Sequence, residues 1–332
     1  MPSYTSNSDD SHSRNEPPAN NGQRALRRFW QLLIGVLAMV AMLEVGTRAG
    51  FGHVSKLERR VGDEYADASR IARETGRQHL LLLGNSLLLE DVDLQVLHSE
   101  LPKNIAIHRF AVESTGLYDW RYGVRRLVAD GSRPDVVALV LGAPNFAPVA
   151  IRGEYSAYYL FRPRDIVEIG ASLRYDRTQT ADLMIAHFSL YYAGRNNIRN
   201  FVLGRAVPPY ASVLHELAIG RGESVGQGHA RGAMDEGLAD VKRSCAEIGA
   251  KLVVVIAPSF DPDDARNVVS AGASEGVAVL EPVAEGGYTT NLYRDGFHLN
   301  SEGAHRFSAA LAPGILQFAR ASFPGVGEGS TR

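Results

Sequence analysis

Four short apolar runs punctuate this chain: Leu80 to Leu83, Ile105 to Val112, Val136 to Leu141 and Leu252 to Ile256, each bounded by Gly, Pro, Asn or charged residues. Runs this short, with little polar alternation, predict strands covered on both faces, as in a parallel sheet. Segments with helical spacing fall between them, for example Tyr118 to Val128. Strand-helix alternation of this kind predicts a doubly wound parallel α/β sheet, three-layered and flavodoxin-like, over residues 79–323. A final helix is expected from Asn300 or Ser301, with an apolar face through Phe307, Leu311, Ile315 and Phe318 and a kink at Pro313.

A different pattern precedes the first strand. Residues 1–28 are rich in Ser, Asn, Asp and Pro, the composition of a disordered tail. After Arg24, Arg27 and Arg28 comes an apolar segment from Phe29 to Leu43, closed by Glu44. Fifteen helical residues rise only about 22 Å against a hydrocarbon core of about 30 Å, so the span is read as residues 29–48 with Glu44 and Arg48 at the far interface. A membrane anchor, a cleaved signal peptide and a buried core helix compete for this segment. No small-x-small cleavage site follows the apolar core, which favours the anchor. The upstream arginines place the amino terminus in the cytoplasm and the remainder outside, although Arg48, Lys56, Arg59 and Arg60 downstream weaken that bias. Residues 49–78, charged and Ala-containing, read as a juxtamembrane helix or connector leading up to the first strand. Residues 324–332 read as a flexible tail.

The stretch from about 150 to 235 is too long for a plain crossover and is expected to be a largely helical insertion near the site. It carries Tyr155, Tyr158, Tyr159, Tyr191 and Tyr192 with several arginines. Core packing is the first reading of these aromatics; a sugar-stacking face is the second.

Composition narrows the function classes. The chain has 332 residues, 45% of them hydrophobic, enough for one large core. Thirty-five Lys and Arg balance 37 Asp and Glu, so no electrostatic case exists for nucleic acid as a partner. Cys245 is the only cysteine, which excludes an intramolecular disulfide and any CxxC metal or redox motif. No histidine pair has metal-ligand spacing, and the glycines at 220–222 and 226–228 lack the strand-to-helix context of a phosphate loop. Neither a metal nor a cofactor is implied.

Two short motifs carry the chemistry. The first apolar run ends in Gly84-Asn85-Ser86, which puts a serine hydroxyl in a tight turn at a strand's carboxyl edge, where open α/β sheets place their ligands. Far downstream, Asp295-Gly296-Phe297-His298 offers a carboxylate and an imidazole from a single turn. Serine is a poor nucleophile near neutral pH and needs a base within reach, oriented in turn by a third group. Ser86, His298 and Asp295 fit nucleophile, base and orienter. Gly116, after the second strand, and Asn145, after the third, are candidate oxyanion donors through a backbone and a side-chain N–H. Alone, each motif is an ordinary turn or a surface pair; together, in this order and after these elements, they point to a serine esterase or acyltransferase.

These blocks resemble those of the SGNH, or GDSL-like, hydrolase superfamily: Gly-Asp-Ser, a glycine, Gly-x-Asn-Asp and Asp-x-x-His. They match Gly84 to Ser86, Gly116, Gly142 to Asn145 and Asp295 to His298. The resemblance implies Ser86 as nucleophile, His298 as base, Asp295 as orienter, and oxyanion donors from the Ser86 and Gly116 backbone and the Asn145 side chain. Asn85 replaces the family's Asp, which is not the triad acid, and Pro144 adds a residue before Asn145. By analogy with anchored SGNH domains, the substrate is expected to be an ester, in particular an O-acetyl group, on a cell-envelope or exopolysaccharide, with polysaccharide-assembly proteins as partners. The alternatives are a lipid or thioester hydrolase and a non-catalytic glycan-binding scaffold.

Overall fold

A computed structural model describes residues 21–147, 151–206, 227–259, 265–284 and 286–323. The first contact unit ends at Gly46 and the second begins at Thr47. The helix α1, Asn21–Val54, runs from the first into the second.

The apolar pattern of α1 is that of a helix without a protein core around it. Leu32, Ile34, Leu37, Val40 and Met42 are all exposed. The part from Arg24 to Gly50 is 27 residues long, about 40 Å at helical rise, and is long and apolar enough to cross a membrane. The helix starts at Asn21, so residues 21–28, read from composition as tail, are helical; Ala25, Leu26 and the arginines favour helix and extend the apolar segment by a low-cost propagation step. The rest of that expected tail, 1–20, and the carboxyl-terminal one, 324–332, lie outside the described residues.

In the second unit, five parallel strands form one sheet: β1 Gln78–Gly84, β2 Ile105–Ala111, β3 Val136–Gly142, β4 Lys251–Ala257 and β5 Ala278–Leu280. Their order is β2-β1-β3-β4-β5, the doubly wound arrangement expected from the sequence. The four sequence-predicted strands are all present. The fifth has three half-buried residues, too short to announce itself by periodicity.

Alternation within each strand sorts side chains between two cores. Leu81 and Leu83 of β1 join Val137, Leu139 and Leu141 of β3 on one face. That face is covered by α2 (Lys56–Ser69), α5 (Leu117–Ala129), α10 (Gln227–Glu247) and α11 (Ala265–Glu275). Leu80 and Leu82 join Val136, Ala138 and Val140 on the other, beneath α3 (Ser86–Asp91), α4 (Leu94–Glu100) and α12 (Ser301–Ser322). Each fully buried leucine contributes about 1.5–3 kcal/mol, so this central strand is a main source of stability.

The expected connector between anchor and sheet is itself part of the folded unit. Val61 and Ala68 of α2 are fully buried, and Glu58 is buried with them, accepting a hydrogen bond from Tyr159. The expected insertion is helical where described: α6 Glu154–Tyr159, α7 Pro163–Ser172, α8 Arg177–Phe188, α9 Leu190–Ala206 and the start of α10. Residues 148–150 and 207–226 lie outside the described residues. Tyr155 and Tyr159 are buried, with ring centroids 5.1 Å apart, and so belong to the packing reading. The last helix begins as expected: Asn300 caps it, accepting from Gly303 N–H at 3.0 Å, and the helix continues through Pro313 to Ser322.

Candidate active site

The reversal of strand order between β1 and β3 opens a crevice at the carboxyl edge of the sheet, the usual ligand position in such folds. Ser86, Gly116 and Asn145 follow the ends of β1, β2 and β3. Gly84 permits the first turn: a Cβ there would lie 2.3 Å from the Val140 carbonyl oxygen and 2.8 Å from Leu88 Cβ. Asn85 then fixes it. Its Oδ1 accepts from Leu87 N–H at 3.0 Å, capping α3, while its Nδ2 donates to the Thr115 carbonyl at 3.0 Å. The substitution of Asn for the family's Asp thus has a local reason, because only the amide can donate to that carbonyl.

His298 is delivered by a hairpin. Tyr293 and Leu299 form an antiparallel bridge, Arg294 N–H donates to the His298 carbonyl at 2.8 Å, and Gly296 turns the chain at φ +77°. Within the turn, Asp295 Oδ1 accepts from the Phe297 and His298 backbone N–H groups at 3.1 and 2.8 Å. The same carboxylate meets the imidazole, with Nδ1 3.0 Å from Oδ2 and 3.2 Å from Oδ1. On the far side of the ring, Nε2 lies 2.9 Å from Ser86 Oγ. Partial burial alone would raise the Asp295 pKa, but the His298 backbone and ring and the Phe297 N–H outweigh it and hold the carboxyl well below its ordinary range. An ionised Asp295 selects the tautomer with hydrogen on Nδ1 and a lone pair facing Ser86.

A second layer of contacts ties α3 to this hairpin. Asp91 Oδ1 accepts from Leu299 N–H at 2.8 Å, and Arg294 bridges Glu90 at 2.9 Å and Asp295 at 3.3 Å. Asp91 is fully buried, its Oδ2 has no partner, and burial pushes its pKa up to about 8. Sequence reading passed over Asp91. Its one signal was spacing: it lies four and three residues after Leu87 and Leu88, on the same buried side of α3.

The two expected oxyanion residues are brought together. A Cβ on Gly116 would lie 2.8 Å from the Asn145 carbonyl oxygen, so only glycine allows this approach. Gly116 N–H, however, donates to Asp119 Oδ2 at 3.1 Å in a capping interaction of α5, a competing acceptor that the sequence did not reveal. Asn145 sits in the 3-10 turn Ala143–Phe146, whose first turn accommodates the additional Pro144. Its Oδ1 is buried without a partner, 3.3 Å from the point where a Gly142 Cβ would stand; Leu87 Cδ1 is 2.9 Å from that point. Gly142 therefore brings Asn145 beside the residue that follows Ser86. Among the described residues, no group of three or more His, Cys, Asp and Glu side chains is arranged to hold a metal ion.

The strand order is that of a doubly wound sheet, and the four short blocks follow β1, β2 and β3 and precede the last helix, in the order of the SGNH motifs they resemble. No protein-family profile and no curated protein sequence matches the chain. Among solved structures, it is similar to TesA, at 13% identity and a TM-score of 0.37, over 72% of this chain and 98% of that one. It is also similar to Axe2, an acetylxylan esterase from Geobacillus stearothermophilus, at 10% identity and a TM-score of 0.39, over 73% of this chain and 96% of that one. Likenesses this distant add no weight to the reading of the site, which rests on the SGNH blocks and their geometry here.

Proposed function

We propose that the chain is a membrane-anchored SGNH-type serine ester hydrolase or O-acyltransferase, acting on O-acetyl or related esters of a cell-envelope or extracellular polysaccharide. The observation that carries the reading is the continuous line from Asp295 through His298 to Ser86, with contacts of 3.0 and 2.9 Å. Ser86 Oγ attacks the ester carbonyl as its proton passes to His298 Nε2, and Asp295 stabilises the resulting imidazolium. Imidazolium then protonates the leaving alcohol, giving an acyl-serine. Water activated by the same His298 releases the acid, or a second alcohol in its place receives the acyl group. Asn145 is the side-chain candidate for the oxyanion. The apolar part of α1 supplies the anchor and keeps the domain near envelope polymers.

The test uses the full chain in detergent with 4-nitrophenyl acetate and a fluorophosphonate probe. The proposal expects turnover and labelling in the wild type and neither in Ser86→Ala. Equal labelling of Ser86→Ala would exclude Ser86 as the nucleophile.

A further inference from the structure

Beside Gly116 and Asn145 lies a cavity of about 250 Å³ whose lining also includes Ser114, Thr115, Ile151 and Arg152. It adjoins the nucleophile turn, because the Thr115 carbonyl, in its lining, accepts from Asn85 Nδ2 at 3.0 Å. Two of its lining side chains contain buried polar atoms without partners among the described residues: Arg152 Nη1, a donor, and Asn145 Oδ1, an acceptor. Such orphans are uncommon in folded proteins and each is costly unless something outside the chain satisfies it. A third lining residue, Ser114, is held at φ +60°, a left-handed conformation that non-glycine residues seldom adopt and that recurs at ligand sites.

The surroundings of Arg152 restrict what can bind. Its guanidinium lies over the Tyr155 ring at 4.9 Å, and its own backbone N–H donates to Asp119 Oδ1 at 3.0 Å. Glu58, Glu113 and Asp119 are close enough to act on its charge, so the guanidinium already stands among carboxyl groups. A fourth carboxylate would gain little there, whereas a neutral oxygen could accept from Nη1 and a hydroxyl could donate to Asn145. Among the described residues Ile151 is the only large apolar side chain in the lining, which does not suit a fatty acyl chain.

We infer that this cavity is the subsite for the alcohol half of the ester, a neutral polyhydroxylated ring, with Arg152 donating to its oxygens and Asn145 available to its hydroxyls. The inference rests on the proposed ester chemistry for the identity of the bound group, and on the cavity alone for its polarity.

Two measurements on the full chain in detergent separate these parts. The first compares kcat/KM for a glucose monoacetate with that for 4-nitrophenyl acetate. Arg152→Lys and Arg152→Met should each lower the ratio of the two by about tenfold or more, the worth of a hydrogen bond from a charged donor. Ala147→Phe, which adds bulk at another position of the lining and leaves Arg152 itself unchanged, should lower the ratio similarly. An unchanged ratio in the folded Lys and Phe variants, or a wild-type preference for the corresponding glucuronate ester, would overturn the inference. The second measurement is saturation-transfer NMR with glucose itself on Ser86→Ala. Transfer that is lost in the added Ala147→Phe variant supports the subsite even if the ester chemistry fails, and absence of transfer in Ser86→Ala overturns it.

Discussion

Asp91 Oδ1 accepts the backbone N–H of Leu299 at 2.8 Å across 208 residues of sequence. The bond joins the end of the nucleophile helix to the residue after the candidate base, so the separation of Ser86 and His298 depends on it. Asp91 has a carboxyl pushed up to about 8 by burial. A raised acid holds its proton in the folded state where the unfolded chain has already lost it. Its contribution to stability is therefore complete below about pH 4, falls by up to about 1.4 kcal/mol per pH unit between about pH 4 and 8, and levels off above. Asp91→Asn keeps the acceptor for Leu299 and removes the titration. Urea midpoints taken from pH 5 to 9 should show the variant gaining on the wild type as pH rises, and parallel curves would refute the account.

The three triad groups are expected to act as one unit. Ser86→Ala and His298→Ala should each reduce kcat by about 10⁴-fold or more, and the double variant should be little worse than either single one. Multiplicative losses would mean that Ser86 and His298 do not share a step.

Asn145 is open to a sharper test, because the extra Pro144 makes it either a donor to the oxyanion or a residue that only shapes the turn. As a donor, Asn145→Ala lowers kcat for 4-nitrophenyl acetate, which has no sugar half, by about 10² to 10³-fold with KM and melting temperature almost unmoved. A lowered melting temperature with normal kcat in the folded fraction would remove it from the site. Gly116 N–H would then have to leave Asp119 before it could serve.

Asn85 gives a prediction against the family pattern. Restoring the family's residue by Asn85→Asp replaces a donor with a carboxylate facing the Thr115 carbonyl, at a buried position. Loss of that donor should cost about 1–3 kcal/mol at neutral pH. Thermal unfolding of the two proteins decides it, and an equally stable Asp variant would show that the turn tolerates either residue.

Topology is tested by reporters. Alkaline phosphatase fused after residue 60 should be active, and a cytoplasmic reporter at the same point silent, if the catalytic domain faces outward. The reverse pattern would place it in the cytoplasm.

Much of this was written into local sequence. Leu80 to Leu83 and Val136 to Leu141 announced their strands because burial on both faces demands unbroken apolar residues. Gly84-Asn85-Ser86 and Asp295 to His298 were legible because turns and triads need particular residue types at short spacing. Residues whose role depends on distant partners were silent. Asp91 acts through Leu299, Arg152 is unusual only for the atoms missing around it, and Asp119 competes for Gly116 N–H through a helix start that its own triplet does not advertise. For α2 a helix was legible but its docking was not: it is rich in charged residues, and only Glu58, Val61 and Ala68 are buried.

The covering of the central strand sets an order on biosynthesis. Leu80 and Leu82 face Phe307, Leu311 and Ile315 of α12, made more than two hundred residues later. While the ribosome is still translating the middle of the gene, that side of the nascent sheet has only α3 and α4 to cover it, and Ser86 lacks its partner His298. The helix that shields the sheet follows directly on the hairpin that carries His298, so a chain released early is both inert and sticky. On the proposed chemistry, activity begins only when the chain carries both the His298 hairpin and the helix that follows it.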